Sequence, residues 1–109
     1  MVLHMNERDE RIVRKFKALV SKRVKVREMR VFGSRARGEA TEESDLDVLV
    51  IVESLDHAAE KFVSECAWEA GFPEDVVIVT VTVDLHAVTS SPIRNSVFIR
   101  HALHNGIPI

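Results

Sequence analysis

Five apolar residues in succession, Val48-Leu49-Val50-Ile51-Val52, most restrict how this 109-residue chain can fold. All but one are β-branched, which favours a strand. An alternating strand shows one apolar face, whereas a continuous apolar run needs cover on both. The chain must therefore supply layers above and below this strand. A length of 109 residues suits one domain, residues 1–109, with little room for a second.

The rest of the chain supplies those layers. Asn6 can cap a helix over Glu7 to Lys22, with Asp9 and Glu10 in its first turn. Its apolar face is Ile12, Val13, Phe16, Leu19 and Val20, with Arg14, Lys15, Lys17, Lys22 and Arg23 on the other sides. Val24 to Phe32 reads as a strand leading into Gly33, and Ser34 as the cap of a short helix over Arg35 to Gly38. Glu39 to Ser44 reads as a polar loop, and Asp45 to Val52 as the second strand. Asp56 can cap a helix over His57 to Ala70, with Ala59, Phe62, Val63, Cys66, Ala67 and Ala70 as its stripe. Cys66 is then a small core residue, while Trp68 lies off the stripe, at an edge or against a partner. Gly71 and Pro73 stop that helix.

Val76 to Val83 is the third strand, and Asp84 to Ser90 a turn or loop. Ser91-Pro92 opens a last helix that runs to His104 and ends at Asn105-Gly106. The order αβ(α)βαβα predicts an α/β (α+β) fold with a small mixed sheet, three-stranded or slightly larger, flanked by helices. The helix between the second and third strands predicts a right-handed parallel crossover.

Composition excludes several classes. Hydrophobic residues make up 46% and charged residues 29%, as in soluble globular proteins. No apolar run has the length of a membrane span, and the start, MVLHMNERDE, has no apolar signal region. One cysteine allows no internal disulfide, so the cytoplasm is the expected compartment. Twelve of fifteen Lys and Arg lie between Arg8 and Arg37, and thirteen of seventeen acids follow Gly38. The basic third is either a solvated helix face or an attraction for a nucleotide, RNA or acidic partner. Aromatic residues for base stacking are not interleaved with it, which argues against nucleic acid.

Chemistry concentrates between the first two strands. Asp45 and Asp47 are i and i+2 on a strand, so they face one way, about 6–7 Å apart. Two carboxylates so placed can share Mg²⁺, a hard ion that takes oxygen ligands and bound phosphate. Two like charges at the head of an apolar strand are costly without a cation. The alternative is a solvated turn with two chance acids. Gly33 lets backbone N–H groups approach a phosphate, Ser34 adds a hydroxyl, and a helix N-terminus favours an anion. The plainer alternative is a strand-to-helix turn with an ordinary cap. The glycine pattern fits neither a P-loop nor a dinucleotide fingerprint.

Taken together, the stretch from Val31 to Val52 reads G-S-x10-D-x-D, with Arg37-Gly38 inside the spacer and apolar strands on both sides. It resembles the signature of the DNA polymerase β-like nucleotidyltransferase superfamily, and within it the minimal nucleotidyltransferases, or MNT-domain proteins. The resemblance implies the polymerase β-like fold, Mg²⁺ (a two-ion site) at Asp45 and Asp47, and nucleoside triphosphate phosphates at Gly33 and Ser34. Arg35 and Arg37 either help neutralise those phosphates or are structural or solvent-facing. Family members place a third acid on the strand after the crossover helix. Here that strand has none in its interior, and geometry favours Asp75 at its start, with Glu74 second, over Asp84 at its far end. A solvated turn residue is the alternative for Asp75. His57, His86, His101 and His104 show no metal-ligand spacing with Cys or acids.

The resemblance implies transfer of a nucleoside monophosphate, AMP from ATP, to a hydroxyl acceptor, with pyrophosphate released. It also implies a partner chain that presents the acceptor, a HEPN-domain toxin to which the chain is antitoxin. The competing expectation is a binding module, weakly active or inactive, that neutralises or scaffolds a partner, in a complex with itself or another chain.

Overall fold

The computed structural model describes residues 5–37, 45–90 and 96–109, apart from the side chains of Arg37, Ser90 and Phe98. Helix α1 spans Glu7–Val20. The Asn6 side chain accepts the Asp9 amide at 2.7 Å, satisfying one of the donors that a helix start leaves open. Ile12, Val13, Phe16 and Val20 are buried along one stripe, as their spacing requires. The helix ends two residues short of the expected Lys22, in a turn that carries Lys22 and Arg23 in solvent.

Strand β1 (Val26–Phe32) leads through Gly33 into the one-turn helix α2 (Ser34–Arg37). Strand β2 (Leu46–Val52) is followed by helix α3 (His57–Gly71), capped by Asp56, whose carboxylate accepts the Ala59 amide at 2.7 Å. A 3-10 turn over Phe72–Glu74, with Pro73 inside it, leads to strand β3 (Ile78–Asp84). The polar loop expected over Glu39 to Ser44 and the Ser91-Pro92 start of the last helix lie outside the described residues.

Two elements differ from the sequence reading. Residues expected as a loop after β3 form helix α4 (Leu85–Ser90). The Asp84 carboxylate accepts the His86 amide at 2.8 Å and so opens that turn, while Leu85 and Val88 pack toward Val81 and Val83. After helix α5 (Val97–Asn105) the chain adds a short strand, β4 (Ile107–Pro108), too brief for any period to reveal. Ser96 caps α5, and Gly106 ends it by donating to the Ala102 carbonyl at 2.9 Å.

The sheet is mixed and four-stranded, ordered β3-β2-β1-β4. Strands β1 and β2 are antiparallel, β2 and β3 parallel, and β4 runs antiparallel to β1. The parallel β2–β3 pair is the one expected from the intervening helix. Strand β2 is central and buried on both faces. Leu46, Val48, Val50 and Val52 meet Phe16 and Val20 of α1 and Val63, Cys66 and Ala67 of α3. Leu49 and Ile51 turn the other way, against Ile99 and Ala102 of α5 and half-buried Val81, Val83, Leu85 and Val88. The continuous apolar run in β2 is thus the middle of three layers. Cys66 is buried, and burial pushes its thiol pKa up, with Glu69 and Glu65 adding to the effect. That suits a packing residue better than a nucleophile. Trp68 is exposed and stacks on Phe72, ring centroids 4.8 Å apart. Among the described residues no helix is long and apolar enough to cross a membrane.

Candidate active site

Gly33 sits where β1 turns into α2, with φ +78°, in the left-handed region that side chains rarely adopt. Across the antiparallel pair, Phe32 is level with Asp47. The Asp47 carboxylate therefore lies against the Gly33 backbone. A Cβ added to Gly33 would overlap Asp47 Oδ2 and stand 3.3 Å from its Cγ. Glycine is favoured here on two counts, backbone conformation and space for the acid. The turn then continues with Ser34 as the first helical residue rather than the cap, and the Ala36 amide donates to the Gly33 carbonyl at 3.2 Å.

Asp45 precedes the first paired residue of β2 and is exposed, whereas Asp47 is half-buried. Leu46, between them, is turned into the core beneath α1 and α3. By strand alternation both aspartates stand on the opposite side, the side of Leu49 and Ile51. The structure thus brings the glycine-serine turn and the acid pair to one end of the sheet. Two carboxylates beside an open backbone turn form an oxygen donor set that suits Mg²⁺ carrying phosphate oxygens. Among the described residues, no three His, Cys, Asp or Glu form a cluster able to hold a metal alone.

Arg35, Glu74, Asp75 and Asp84 make their contacts elsewhere. The Arg35 guanidinium is buried and pairs with Asp9 of α1 at 2.9 Å, both side chains nearly inaccessible. Of the two readings open for Arg35, the structural one holds. This pair fastens α2, and so the Gly33-Ser34 turn, to α1. Asp9 lay within reach of the sequence: it continues the apolar stripe of Ile12, Val13, Phe16 and Val20 by one step, and an acid on such a stripe needs a cation. Arg37 closes α2, and its side chain lies outside the described atoms. Asp75 ends the 3-10 turn in a left-handed conformation, φ 57°, and borders a cavity of about 370 Å³ between α3 and β3, with Ser64, Trp68 and Phe72. Glu74 pairs with Arg8 and Arg11 of α1. Asp84 accepts amides of Leu55 and His86 at the far end of β3. The Leu55 N–H, then that of His86, hold its carboxyl below the ordinary range.

The basic first third resolves largely into ion pairs. Arg14 meets Glu10, Arg30 meets Glu28, and Lys25 and Arg27 both approach Glu53. This is the behaviour of a solvated face.

Residues 13–107 match the family model of the nucleotidyltransferase domain. The chain belongs to that family. Two Methanocaldococcus jannaschii proteins, each named putative protein adenylyltransferase (MJ1379 and MJ0128), are 51% and 49% identical to it over 39 residues. The match spans 36% of this chain and only about two fifths of either relative, 39% and 40%. A chain in the crystal structure of a mutant MntA–HpeT toxin–antitoxin shares the fold, with TM-score 0.59 and 19% identity, over 92% of this chain and 70% of that one. The nucleotidyltransferase fold of this family is the mixed sheet and flanking helices described above.

Proposed function

We propose that this nucleotidyltransferase domain, acting as a single unit over residues 1–109, transfers AMP from ATP to a hydroxyl group on a partner protein. The acceptor oxygen bonds to the α-phosphorus, the bond from that phosphorus to the bridging oxygen breaks, and pyrophosphate departs. The acceptor's proton is lost to a base. One observation supports the reading: the Asp47 carboxylate stands against the bare backbone of Gly33, so one acid of the pair adjoins a turn with the form of an anion-binding turn.

In this reading Gly33 and Ser34 bind the triphosphate through backbone and hydroxyl donors, and Arg37 adds positive charge. Asp45 and Asp47 would hold Mg²⁺, one ion or two, which supplies neutralisation of charge on the phosphoryl oxygens. The chain's own contribution is positioning: a rigid turn on one strand and two acids on the next, tied together by the sheet. The names of the two archaeal relatives support AMP as the transferred group. The toxin–antitoxin neighbour supports a toxin as the acceptor-bearing partner, with this chain as antitoxin; that the toxin is of HEPN type rests on the family resemblance alone. That neighbour carries two Asp→Glu replacements two positions apart, the spacing of Asp45 and Asp47. An ATP donor would suit a cytoplasmic reaction.

A second reading is a binding module that engages its partner with little or no transfer. What favours it is the location of Asp75, beside α3 rather than grouped with the pair. The two readings separate in one experiment. The protein is incubated with α-labelled ATP, Mg²⁺ and the protein encoded beside it, and label is followed on that protein. Transfer predicts label that vanishes in Asp45→Ala and Asp47→Ala. A stable complex that never takes label, in wild type or variants, refutes transfer and leaves the binding module.

A further inference from the structure

We propose that β3 is a self-pairing edge, and that two copies of this chain join there into one continuous antiparallel sheet. The two edges of the sheet differ. On one side β4 is two residues long and includes Pro108, both ways of blunting an edge. On the other side β3 offers seven residues, IVTVTVD, with no proline, lysine or bulge. Four of the five large apolar side chains that stand exposed among the described residues flank it: Trp68 (66%), Phe72 (65%), Val77 (62%) and Val79 (39%).

The backbone fixes which groups the edge presents. The Val77 carbonyl accepts the Leu46 amide at 2.9 Å, so it points toward β2. By alternation the amides and carbonyls of Val79, Val81 and Val83 also turn toward β2. Those of Ile78, Thr80, Thr82 and Asp84 turn outward, with no strand beyond them among the described residues. Backbone polar groups in such a row are a template for a further strand.

The sequence makes a second copy the fitting strand. Val79-Thr80-Val81-Thr82-Val83 reads the same in both directions. With a twofold axis at Val81, Thr80 lies opposite Thr82 of the second copy, Val79 opposite Val83, and Val81 opposite itself. Every outward-turned residue then meets an outward-turned residue, which antiparallel bonding demands. Threonines meet threonines on one face and valines meet valines on the other, both favourable cross-strand pairs. No charged residue occurs from Val76 to Val83. Asp84 falls opposite Ile78, so no acid meets an acid across the axis. The contact is the same patch on both copies and closes on itself. Trp68 and Phe72, on the α3 side of β3, border the junction.

Sedimentation equilibrium on the purified chain tests the proposal. The wild type is expected at twice its 12.3 kDa chain mass. Thr80→Lys with Thr82→Lys sets lysines opposite lysines and is expected to raise the dissociation constant by roughly tenfold or more. Thr80→Lys with Thr82→Glu sets lysine opposite glutamate and is expected to restore the dimer. Circular dichroism checks that each variant is folded. A wild type that stays at single-chain mass overturns the proposal, as does a dimer indifferent to the two lysines. Failure of the lysine–glutamate variant to dimerise overturns the register. None of these outcomes bears on nucleotide transfer.

Discussion

Replacing Gly33 with alanine separates two effects that the structure superimposes at one Cα. The first is conformational: at φ +78° an alanine costs about 1–2 kcal/mol. The second is spatial: the new Cβ overlaps Asp47 Oδ2, so the carboxylate must rotate. Moving a side chain off its rotamer costs about 0.5–1.5 kcal/mol, giving a total of about 1.5–3.5 kcal/mol. For a domain near 109 residues that lowers Tm by roughly 10 °C, which leaves a folded protein in which Asp47 is misplaced. An ångström-scale displacement of a catalytic group costs on the order of a hundredfold in rate. Thermal unfolding of Gly33→Ala in wild-type and Asp47→Ala backgrounds forms a double-mutant cycle, while label transfer is read for Gly33→Ala in the wild-type background alone. In the Asp47→Ala background only the conformational cost should remain, about 1–2 kcal/mol. Equal costs in both backgrounds, or unimpaired transfer by folded Gly33→Ala, would refute the reasoning.

Two further outcomes test the surroundings. Asp9→Ala and Arg35→Ala should each destabilise the fold in urea unfolding, by up to about 3–5 kcal/mol, since each breaks a buried ion pair; Asp9→Ala combined with Arg35→Met should cost less than the sum of its parts. Asp84 has a depressed folded pKa, so its contribution is present above the unfolded value of 3.8 and is lost as pH falls through the folded value. Asp84→Ala should therefore melt below wild type at neutral pH, and the two melting curves should converge as the pH drops below 3.8.

What could be read beforehand was what repeats. The stripe of α1 and that of α3 recur often enough to fix both helices and their buried faces, and the caps Asn6 and Asp56 follow from residue type and position. The unbroken apolar run of β2 could be satisfied only between two layers, which is where it lies. Helix α4 escaped because six residues make under two turns, and its opening acid, Asp84, served equally well as a loop residue. Strand β4 escaped because two residues carry no period; its place comes from pairing with Arg30 and Val31, far off in the chain. The Gly33–Asp47 approach was legible as chemistry and not as distance. It depends on Phe32 and Asp47 being level, and register comes from how whole strands pack.

Register also decides what a third acid could contribute. In the parallel β2–β3 pair, Leu46 is level with Ile78 and Asp47 with Val79, so Val77 is level with Asp45. The residues of β3 that alternate onto the face of the aspartates are therefore valines. Asp75 comes two residues before Val77, past a left-handed turn, and emerges beside α3. Asp84 is level with Val52, at the far end of the strand. Counting along the sequence makes Asp75 the nearest acid; in the structure it stands before the ladder begins, on the α3 side of β3. Among the described residues, the acid that the ladder brings against the Gly33 turn is Asp47, with Asp45 two residues before it in the chain. Under the proposed transfer, a proton leaving the acceptor hydroxyl would pass to one of that pair, to water, or to a base on the acceptor's own chain. In the last case, the partner would be part of the active site as well as the substrate.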